Sequence, residues 1–115
     1  MKLVFVEAPA FTRQRPERLD DDELGRLQVA LLAAPEAGSV IPGTGGCRKL
    51  RWHDARRNKG KRGGLRVVYY WMPSAKQLWL LAIYAKGELE DLTIDQRHAL
   101  KKAIDLELRA IRENS

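Results

Sequence analysis

Hydrophobic and polar positions alternate in the central part of the chain and predict three β-strands. In residues 48–53, apolar Leu50 and Trp52 alternate with basic side chains, which is the two-residue period of a half-buried strand. Residues 65–72 and 77–85 are rich in the β-branched and aromatic side chains that strands favour. Because a short link joins the last two segments, we predict an antiparallel meander.

Helical spacing flanks these strands on both sides. Apolar residues recur every three or four positions in residues 24–31, after a run of aspartates beginning at Asp20 that suits a helix N-terminus. A second apolar stripe covers residues 100–111 and follows the capping-box pair Thr93 and Gln96 in the sequence. The pattern therefore predicts one helix before the strands and one at the C-terminal end.

The N-terminal stretch predicts a further strand and helix. Residues 3–6 are apolar and stop at a Glu-Ala-Pro sequence, which is typical of a short strand ended by proline. Residues 11–19 are charged and helix-compatible, with Pro16 in the first turn. We therefore predict one α+β domain over residues 1–115, with an N-terminal strand and helical pair, a three- to four-stranded antiparallel sheet and a C-terminal helix.

The composition indicates a globular cytoplasmic protein. Hydrophobic residues make up 44% of the 115 positions and charged residues 31%, unlike a disordered chain. The single cysteine excludes an intramolecular disulfide, and one cysteine with two histidines disfavours a structural zinc site. The longest apolar run, residues 78–85, is far shorter than the roughly twenty residues of a membrane span, and no run resembles a signal-peptide core. We expect neither a membrane association nor a cofactor.

The net charge of +6 is concentrated in one segment. Residues 48–66 carry a charge of +8, whereas the rest of the chain sums to −2. The basic side chains of the segment are Arg48, Lys49, Arg51, Arg56, Arg57, Lys59, Lys61, Arg62 and Arg66. Such a concentration is the electrostatic signature of a polyanion binder. We interpret it as a nucleic-acid site rather than as a solvated loop that serves solubility.

Alternation places Lys49, Arg51 and His53 on one face of the first central strand. If Arg66 of the next strand joins that face, a cluster of cations results. Arginine donates bidentately to phosphate, and lysine can accept a proton where neighbouring cations and burial favour the neutral amine. Such a cluster could cleave RNA through the ribose 2′-OH or only dock its backbone, and the residues alone leave both open.

Three segments carry a resemblance to a known family. They are residues 41–52 (IPGTGGCRKLRW), 60–70 (GKRGGLRVVYY) and 83–86 (IYAK). Together they resemble RelE/HigB-type toxins, most closely the HigB-like branch of the RelE superfamily, over nearly the whole chain. The resemblance implies a compact α+β toxin of a bacterial type II toxin–antitoxin system.

The resemblance also implies an activity and partners. Toxins of this family are metal-independent endoribonucleases that usually cut mRNA on the ribosome by attack of the ribose 2′-OH. A co-encoded antitoxin, often with a helix-turn-helix domain, neutralises the toxin, and the pair contacts operator DNA through the antitoxin. The alternatives from other classes are a non-catalytic RNA- or ribosome-binding module and an interaction subunit whose basic patch meets an acidic partner.

Carried onto this sequence, the family's catalytic positions fall on Lys49, Arg51, Arg66 and Lys86. Gly87 follows Lys86, and no tyrosine follows Tyr84, so the sequence departs from better-studied relatives near this end and leaves the base and the acid unassigned. Further RNA contacts are predicted at Arg48, His53, Lys59, Lys61, Arg62 and Tyr84.

Overall fold

The computed structural model of the protein describes residues 2–54, 64–87 and 92–113. Its α-helices are α1 (Pro9–Gln14), α2 (Asp21–Ala33) and α3 (Ile94–Glu113), and its strands are β1 (Val4–Glu7), β2 (Ser39–Val40), β3 (Arg48–Trp52), β4 (Leu65–Met72) and β5 (Gln77–Ala85). Short 3₁₀ turns cover Arg15–Glu17 and Pro73–Ala75. The α+β class is as predicted.

The five described strands form one sheet in the order β1-β5-β4-β3-β2. The meander of β3, β4 and β5 is antiparallel, as predicted. The predicted three- to four-stranded, wholly antiparallel sheet is wrong in two details, because β2 adds a strand beside β3 and β1 pairs parallel to β5. Ser39 and Val40 are too few to show a period, and the partner of β1 lies about seventy residues away along the chain.

The first helix begins at a proline, but this proline is Pro9 and not the predicted Pro16. α1 begins at Pro9, where the missing N–H costs nothing, while Pro16 lies in the 3₁₀ turn that follows. The predicted start of α2 is confirmed, since the Asp20 carboxylate accepts a hydrogen bond from the Glu23 N–H at 2.8 Å. α1 therefore begins two residues after the end of β1, and both α1 and α2 pack against the sheet.

One face of the sheet, which we call the helix face, is covered by α1 and α2. Its buried residues are Phe11, Leu19, Leu27, Leu31, Leu65, Val67, Tyr69, Leu78, Leu80, Ile83 and Ala85. The Tyr69 phenol accepts from the Gly38 N–H and donates to the Pro35 carbonyl, both at 2.8 Å. This pair of bonds fixes the segment after α2 onto β4.

The opposite face, which we call the cation face, carries Lys49, Arg51, Arg66, Val68, Ala82 and Tyr84. It is partly covered by α3, whose Leu100, Ile104 and Leu108 pack towards the sheet. α3 begins at the predicted capping box, where Gln96 and Thr93 exchange hydrogen bonds of 2.8 and 3.1 Å. In the described part of the chain, no helix combines the length and the apolarity that crossing a bilayer requires.

A bulge interrupts the pairing of β4 with β5. Val68 pairs with Ala82, but the next residue, Tyr69, pairs with Leu80, so Leu81 is an extra residue in β5. Leu81 and Ala82 then line the same groove, which lies at β5 between α1 and α3, although they are adjacent in sequence. The bulge thus shapes the part of the sheet next to the cations.

Candidate nucleic-acid interface

One row of side chains across the sheet contains two arginines. Arg51 of β3 lies directly opposite Arg66 of β4, and Arg66 lies opposite Tyr84 of β5. Directly opposed side chains in an antiparallel pair have Cβ atoms about 4.5–5.5 Å apart and share a face. The two guanidinium groups therefore belong to one cluster, as expected if Arg66 joins the face of Lys49 and Arg51.

A second row contains the lysine. Lys49 lies opposite Val68, which in turn lies opposite Ala82. Because Lys49 is two positions from Arg51 along β3, it shares the cation face. The cations therefore gather on β3 and the start of β4, and the same face becomes apolar towards β5.

The electrostatics of the first row favour an anion. Like charges directly opposite one another across a sheet are destabilising, and a bound phosphate would offset their repulsion. The Arg66 side chain is held at the sheet, since the residue is 9% exposed and its guanidinium donates to the Leu65 carbonyl at 3.2 Å. Arg51 is exposed. The pair thus combines one fixed and one accessible guanidinium, each able to donate bidentately to phosphate oxygens.

Lys86 lies just beyond β5. Its N–H donates to the Gly64 carbonyl at 3.0 Å, which continues the β4–β5 pairing past Ala85. β5 itself ends at Ala85, so Lys86 is the first residue after the strand. Lys86 is exposed, and the following Gly87 turns the chain away with φ 95°. The fourth predicted catalytic cation therefore lies at the end of β5, two residues after Tyr84.

The structure places Arg48 away from the predicted RNA contacts. It pairs with Tyr69 and so lies on the helix face. Its guanidinium donates to the Gly38 carbonyl at 2.8 Å and forms an ion pair with Glu36 at 3.8 Å. Arg48 therefore fastens the segment after α2, and we remove it from the candidate interface.

The predicted position of His53 also changes. β3 ends at Trp52, so strand alternation does not extend to His53. Its Nε2 lies 3.7 Å from a carboxylate oxygen of Glu23 on α2, which packs on the helix face. We therefore remove His53 from the cation cluster. The predicted contacts Lys59, Lys61 and Arg62 lie outside the described residues and stay predictions.

A glycine-rich turn supports the start of β3. The Thr44 hydroxyl donates to the Ile41 carbonyl at 2.7 Å and accepts from the Cys47 N–H at 3.0 Å. Gly43 and Gly45 adopt φ 79° and 76°, a conformation that other residues rarely adopt. The turn therefore fixes the chain immediately before Lys49.

Cys47 is buried in this turn and is not an activated nucleophile. Burial raises the pKa of its thiol to about 11, although the hydrogen bond with Thr44 acts in the opposite direction. The thiol is therefore protonated at neutral pH, whereas nucleophilic cysteines are thiolates. Within the described ranges, no three His, Cys, Asp or Glu side chains form a group able to hold a metal ion.

An apolar groove adjoins the cations and was not predicted from the sequence. It has a volume of about 400 Å³ and lies between the sheet, α1 and α3. Its lining residues are Ala10, Gln14, Val68, Leu81, Ala82, Ile83, Tyr84, Leu92, Gln96, Ala99 and Leu100. These residues come from α1, β4, β5, α3 and the segment just before α3, so no local pattern could have shown that they meet.

The chain is similar in structure to solved structures of the E. coli toxin RelE. A mutant of the E. coli toxin RelE in the free state superposes with a TM-score of 0.56 at 17% sequence identity, over 78% of this chain and 90% of that one. This chain has a RelE-like fold. No protein-family model matches the sequence.

Two further RelE structures show the same similarity. The isolated E. coli RelE toxin gives a TM-score of 0.53 at 15% identity, over 89% of this chain and 99% of that one. The intact E. coli RelBE toxin–antitoxin complex gives 0.51 at 17% identity, over 71% and 94% of the two chains. The RelE-like fold predicted from the sequence motifs is confirmed at the level of the fold.

Proposed function

We propose that this protein is the toxin of a bacterial type II toxin–antitoxin system, from the HigB-like branch of the RelE superfamily. It acts in the cytoplasm as a single domain and cleaves mRNA on the ribosome without a metal ion. The observation that carries the proposal is the opposed pair Arg51 and Arg66, with Lys49 on the same face, in a chain with a RelE-like fold.

The proposed reaction uses the cation face as an electrostatic clamp. A base removes the proton of the ribose 2′-OH, the 2′-oxygen attacks the adjacent phosphorus, and the bond to the 5′-oxygen breaks to leave a 2′,3′-cyclic phosphate. Arg66 stabilises the negative charge on the phosphoryl oxygens. Arg51 binds the same phosphate or gives a proton to the leaving 5′-oxygen, and Lys49 or Lys86 is the base.

The proposed protein partner is an antitoxin encoded beside the toxin gene. The solved RelBE complex is a complex of toxin and antitoxin, which supports a partner of this kind for a RelE-like fold. We propose that the partner carries a helix-turn-helix domain, through which the complex contacts operator DNA. A small helix-turn-helix gene next to this one would support the proposal.

Induced expression in bacteria tests the proposed activity. We expect growth arrest and new mRNA 5′ ends in cells that produce the protein. Arg66→Gln is expected to lower cleavage by about 100-fold or more, because one guanidinium aimed at the transition-state charge is lost. Arg66→Lys keeps the charge without the planar fork and is expected to retain only part of the activity.

Lys102→Ala is the matched control, because Lys102 is an exposed cation on α3 away from the two rows. It is expected to cleave as the wild type does. Soluble expression with normal growth and intact message would contradict the toxin proposal. Salt-sensitive RNA binding without cleavage on programmed ribosomes would instead favour the non-catalytic RNA- or ribosome-binding module.

A further inference from the structure

The buried residue Gly38, just before β2, has no room for a side chain. A Cβ atom at position 38 would lie 3.0 Å from the carbonyl oxygen of Lys49, and 2.9 and 3.0 Å from Cε1 and the hydroxyl oxygen of Tyr69. Gly38 is not among the residues with a positive φ, so its backbone conformation is open to other residues. The requirement for glycine therefore comes from the lack of space alone.

Hydrogen bonds on both sides keep Gly38 in this place. Its N–H donates to the Tyr69 hydroxyl at 2.8 Å, and its carbonyl accepts from the Arg48 guanidinium at 2.8 Å. The same Tyr69 hydroxyl donates to the Pro35 carbonyl at 2.8 Å, and the tyrosine is 0% exposed. Because the ring is fixed within the core, it cannot make room for a methyl group at position 38.

The part of the sheet that can yield is the strand pair next to Gly38, which carries Lys49. Ser39 pairs with Lys49, and β2 is the outermost strand on this side of the sheet in the described part of the chain. A larger residue at position 38 would therefore displace the main chain of Lys49 by a few tenths of an ångström. Arg66 belongs to the next strand, so the distance between the lysine and this arginine would change.

We propose that Gly38 is a positioning residue for Lys49. It sets the place of the lysine relative to the arginine pair by allowing the segment before β2 to lie against the Lys49 carbonyl. The inference rests on the proposed function, in which Lys49 acts on RNA, and adds a residue that does not touch the RNA. Such a role has a measurable effect, because misplacing a reacting group by about 1 Å can lower a rate about 100-fold.

A glycine that supports only the fold is the competing explanation. Gly38→Ala would then lower the free energy of unfolding, but its effect on the reaction would not depend on the side chain at position 49. The positioning role is favoured because one of the closest atoms belongs to the main chain of Lys49 itself.

A double-mutant cycle of Gly38→Ala with Lys49→Gln separates the two explanations. On programmed ribosomes with saturating protein, Gly38→Ala is expected to lower the rate of mRNA cleavage about tenfold. In protein that already carries Lys49→Gln, the same change is expected to lower the rate less than about twofold. Gly25→Ala is the matched control, because a Cβ atom at this position of α2 meets nothing within 4 Å, and it is expected to cleave as the wild type does.

The same cycle on RNA binding gives a readout that needs no catalysis. The probe is a short 2′-O-methyl RNA oligomer, which cannot be cleaved through its 2′-oxygen. Gly38→Ala is expected to weaken binding of this oligomer in the wild-type background and to leave it unchanged in the Lys49→Gln background. The binding cycle decides where Lys49→Gln leaves no measurable cleavage.

The outcomes separate this inference from the proposed function. Equal fold losses in both backgrounds, in a protein that cleaves mRNA, would overturn the positioning role and leave the nuclease proposal standing, as would a Gly38→Ala variant that cleaves and binds like the wild type. A loss of binding that depends on Lys49, in a protein that does not cleave mRNA, would support the positioning role and contradict the nuclease proposal. Wild-type protein that neither binds the oligomer at low salt nor cleaves mRNA would overturn both.

Tyr69→Phe takes the place of Gly38→Ala if the alanine variant does not fold. It keeps the ring and removes the hydroxyl that accepts from the Gly38 N–H. Its losses are expected to depend on Lys49 in the same way, and equal losses in both backgrounds would again overturn the positioning role.

Discussion

The two faces of the sheet are built from alternate residues of the same strands, yet they differ in what they contain. On the helix face, β4 contributes Leu65, Val67 and Tyr69, all of which are 0% exposed. On the cation face, the same strand contributes Arg66 opposite Arg51. The helix face is organised around apolar packing, whereas the cation face gathers like charges beside an open groove. The comparison teaches that strand alternation can separate stability from function within a few residues.

Adjacent residues of β3 show this separation most clearly. Arg48 lies on the helix face, where its guanidinium bonds to the segment after α2. Lys49 lies on the cation face, in a row with Val68 and Ala82. Two adjacent basic residues therefore lie on opposite faces in different surroundings, and mutations can test each face independently.

The largest expected effect is on the helix face. Phe11→Ala removes a fully buried ring beneath α1 and is expected to lower the free energy of unfolding by about 3–5 kcal/mol. Urea denaturation followed by circular dichroism measures this change. Val29→Ala, at a position of α2 that is 67% exposed, serves as the control and is expected to change stability by less than about 0.5 kcal/mol. A loss below about 1 kcal/mol for Phe11→Ala would contradict the proposed division between the faces.

The second prediction concerns the buried part of the cation face. Because the folded-state pKa of Cys47 is raised from 9.0 to about 11, its contribution to stability is complete below pH 9 and is lost as the pH rises to 11. We expect a loss of about 2 kcal/mol in unfolding free energy by pH 11 from this group. Burial also raises the pKa values of Tyr69 and Tyr70 from 10.0, which adds to the loss at higher pH.

Cys47→Ala isolates the cysteine in that experiment. Unfolding measured from pH 8 to pH 11 is expected to show a shallower decline for the variant than for the wild type. Identical slopes would show that the thiol titrates in the folded protein much as it does in the unfolded chain.

The third prediction compares the two adjacent basic residues. Arg48→Gln is expected to lower the unfolding free energy by about 1–2 kcal/mol, because charge-assisted bonds to the Gly38 carbonyl and Glu36 are lost. Lys49→Gln is expected to leave stability nearly unchanged and to weaken RNA binding, with a salt-dependence slope smaller by about one. Thermal unfolding and binding at two or more salt concentrations measure both variants. A reversal, with Arg48→Gln impaired mainly in binding, would contradict the assignment of faces.

The smallest expected effect lies at the start of α3, which borders the groove. Thr93→Ala removes the hydroxyl that accepts from the Gln96 N–H and is expected to cost about 1 kcal/mol. Thr93→Ser keeps the hydroxyl and is expected to restore most of that loss. Thermal unfolding of the two variants provides the comparison, and equal destabilisation by both would show that the capping bond contributes little.

Local patterns predicted the parts of the fold that depend on neighbouring residues. The alternation around Leu50 and Trp52 placed Lys49 and Arg51 on one face, and the Asp20 and Thr93 caps begin helices as predicted. In each case the signal comes from a few adjacent residues whose spacing or hydrogen bonding is specific to one element.

Long-range features were less accessible to sequence reasoning. The parallel pairing of β1 with β5 depends on tertiary packing. The start of α1 at Pro9 was not predicted, because a proline at this position also fits the end of a strand. His53 has the right parity for the cation face, but β3 ends one residue earlier and Glu23 lies beside the imidazole. The roles of Lys49, Arg51, Arg66 and Lys86 stay predictions, because geometry places the groups without measuring their chemistry.

The extra residue Leu81 shifts the alternation of side chains between the two faces by one residue along β5. Pairing on one side of the bulge joins Val68 to Ala82, and on the other side it joins Tyr69 to Leu80. Deleting Leu81 would restore an unbroken ladder and would leave Leu80 and Ala82 on the opposite faces that they already occupy, because they would then be neighbours in a regular strand. β5 can therefore lose one residue at the bulge without changing the faces of the others, whereas a one-residue deletion in the regular pairing of β4, such as loss of Val67, would move the side chains on one side of the deletion to the opposite face.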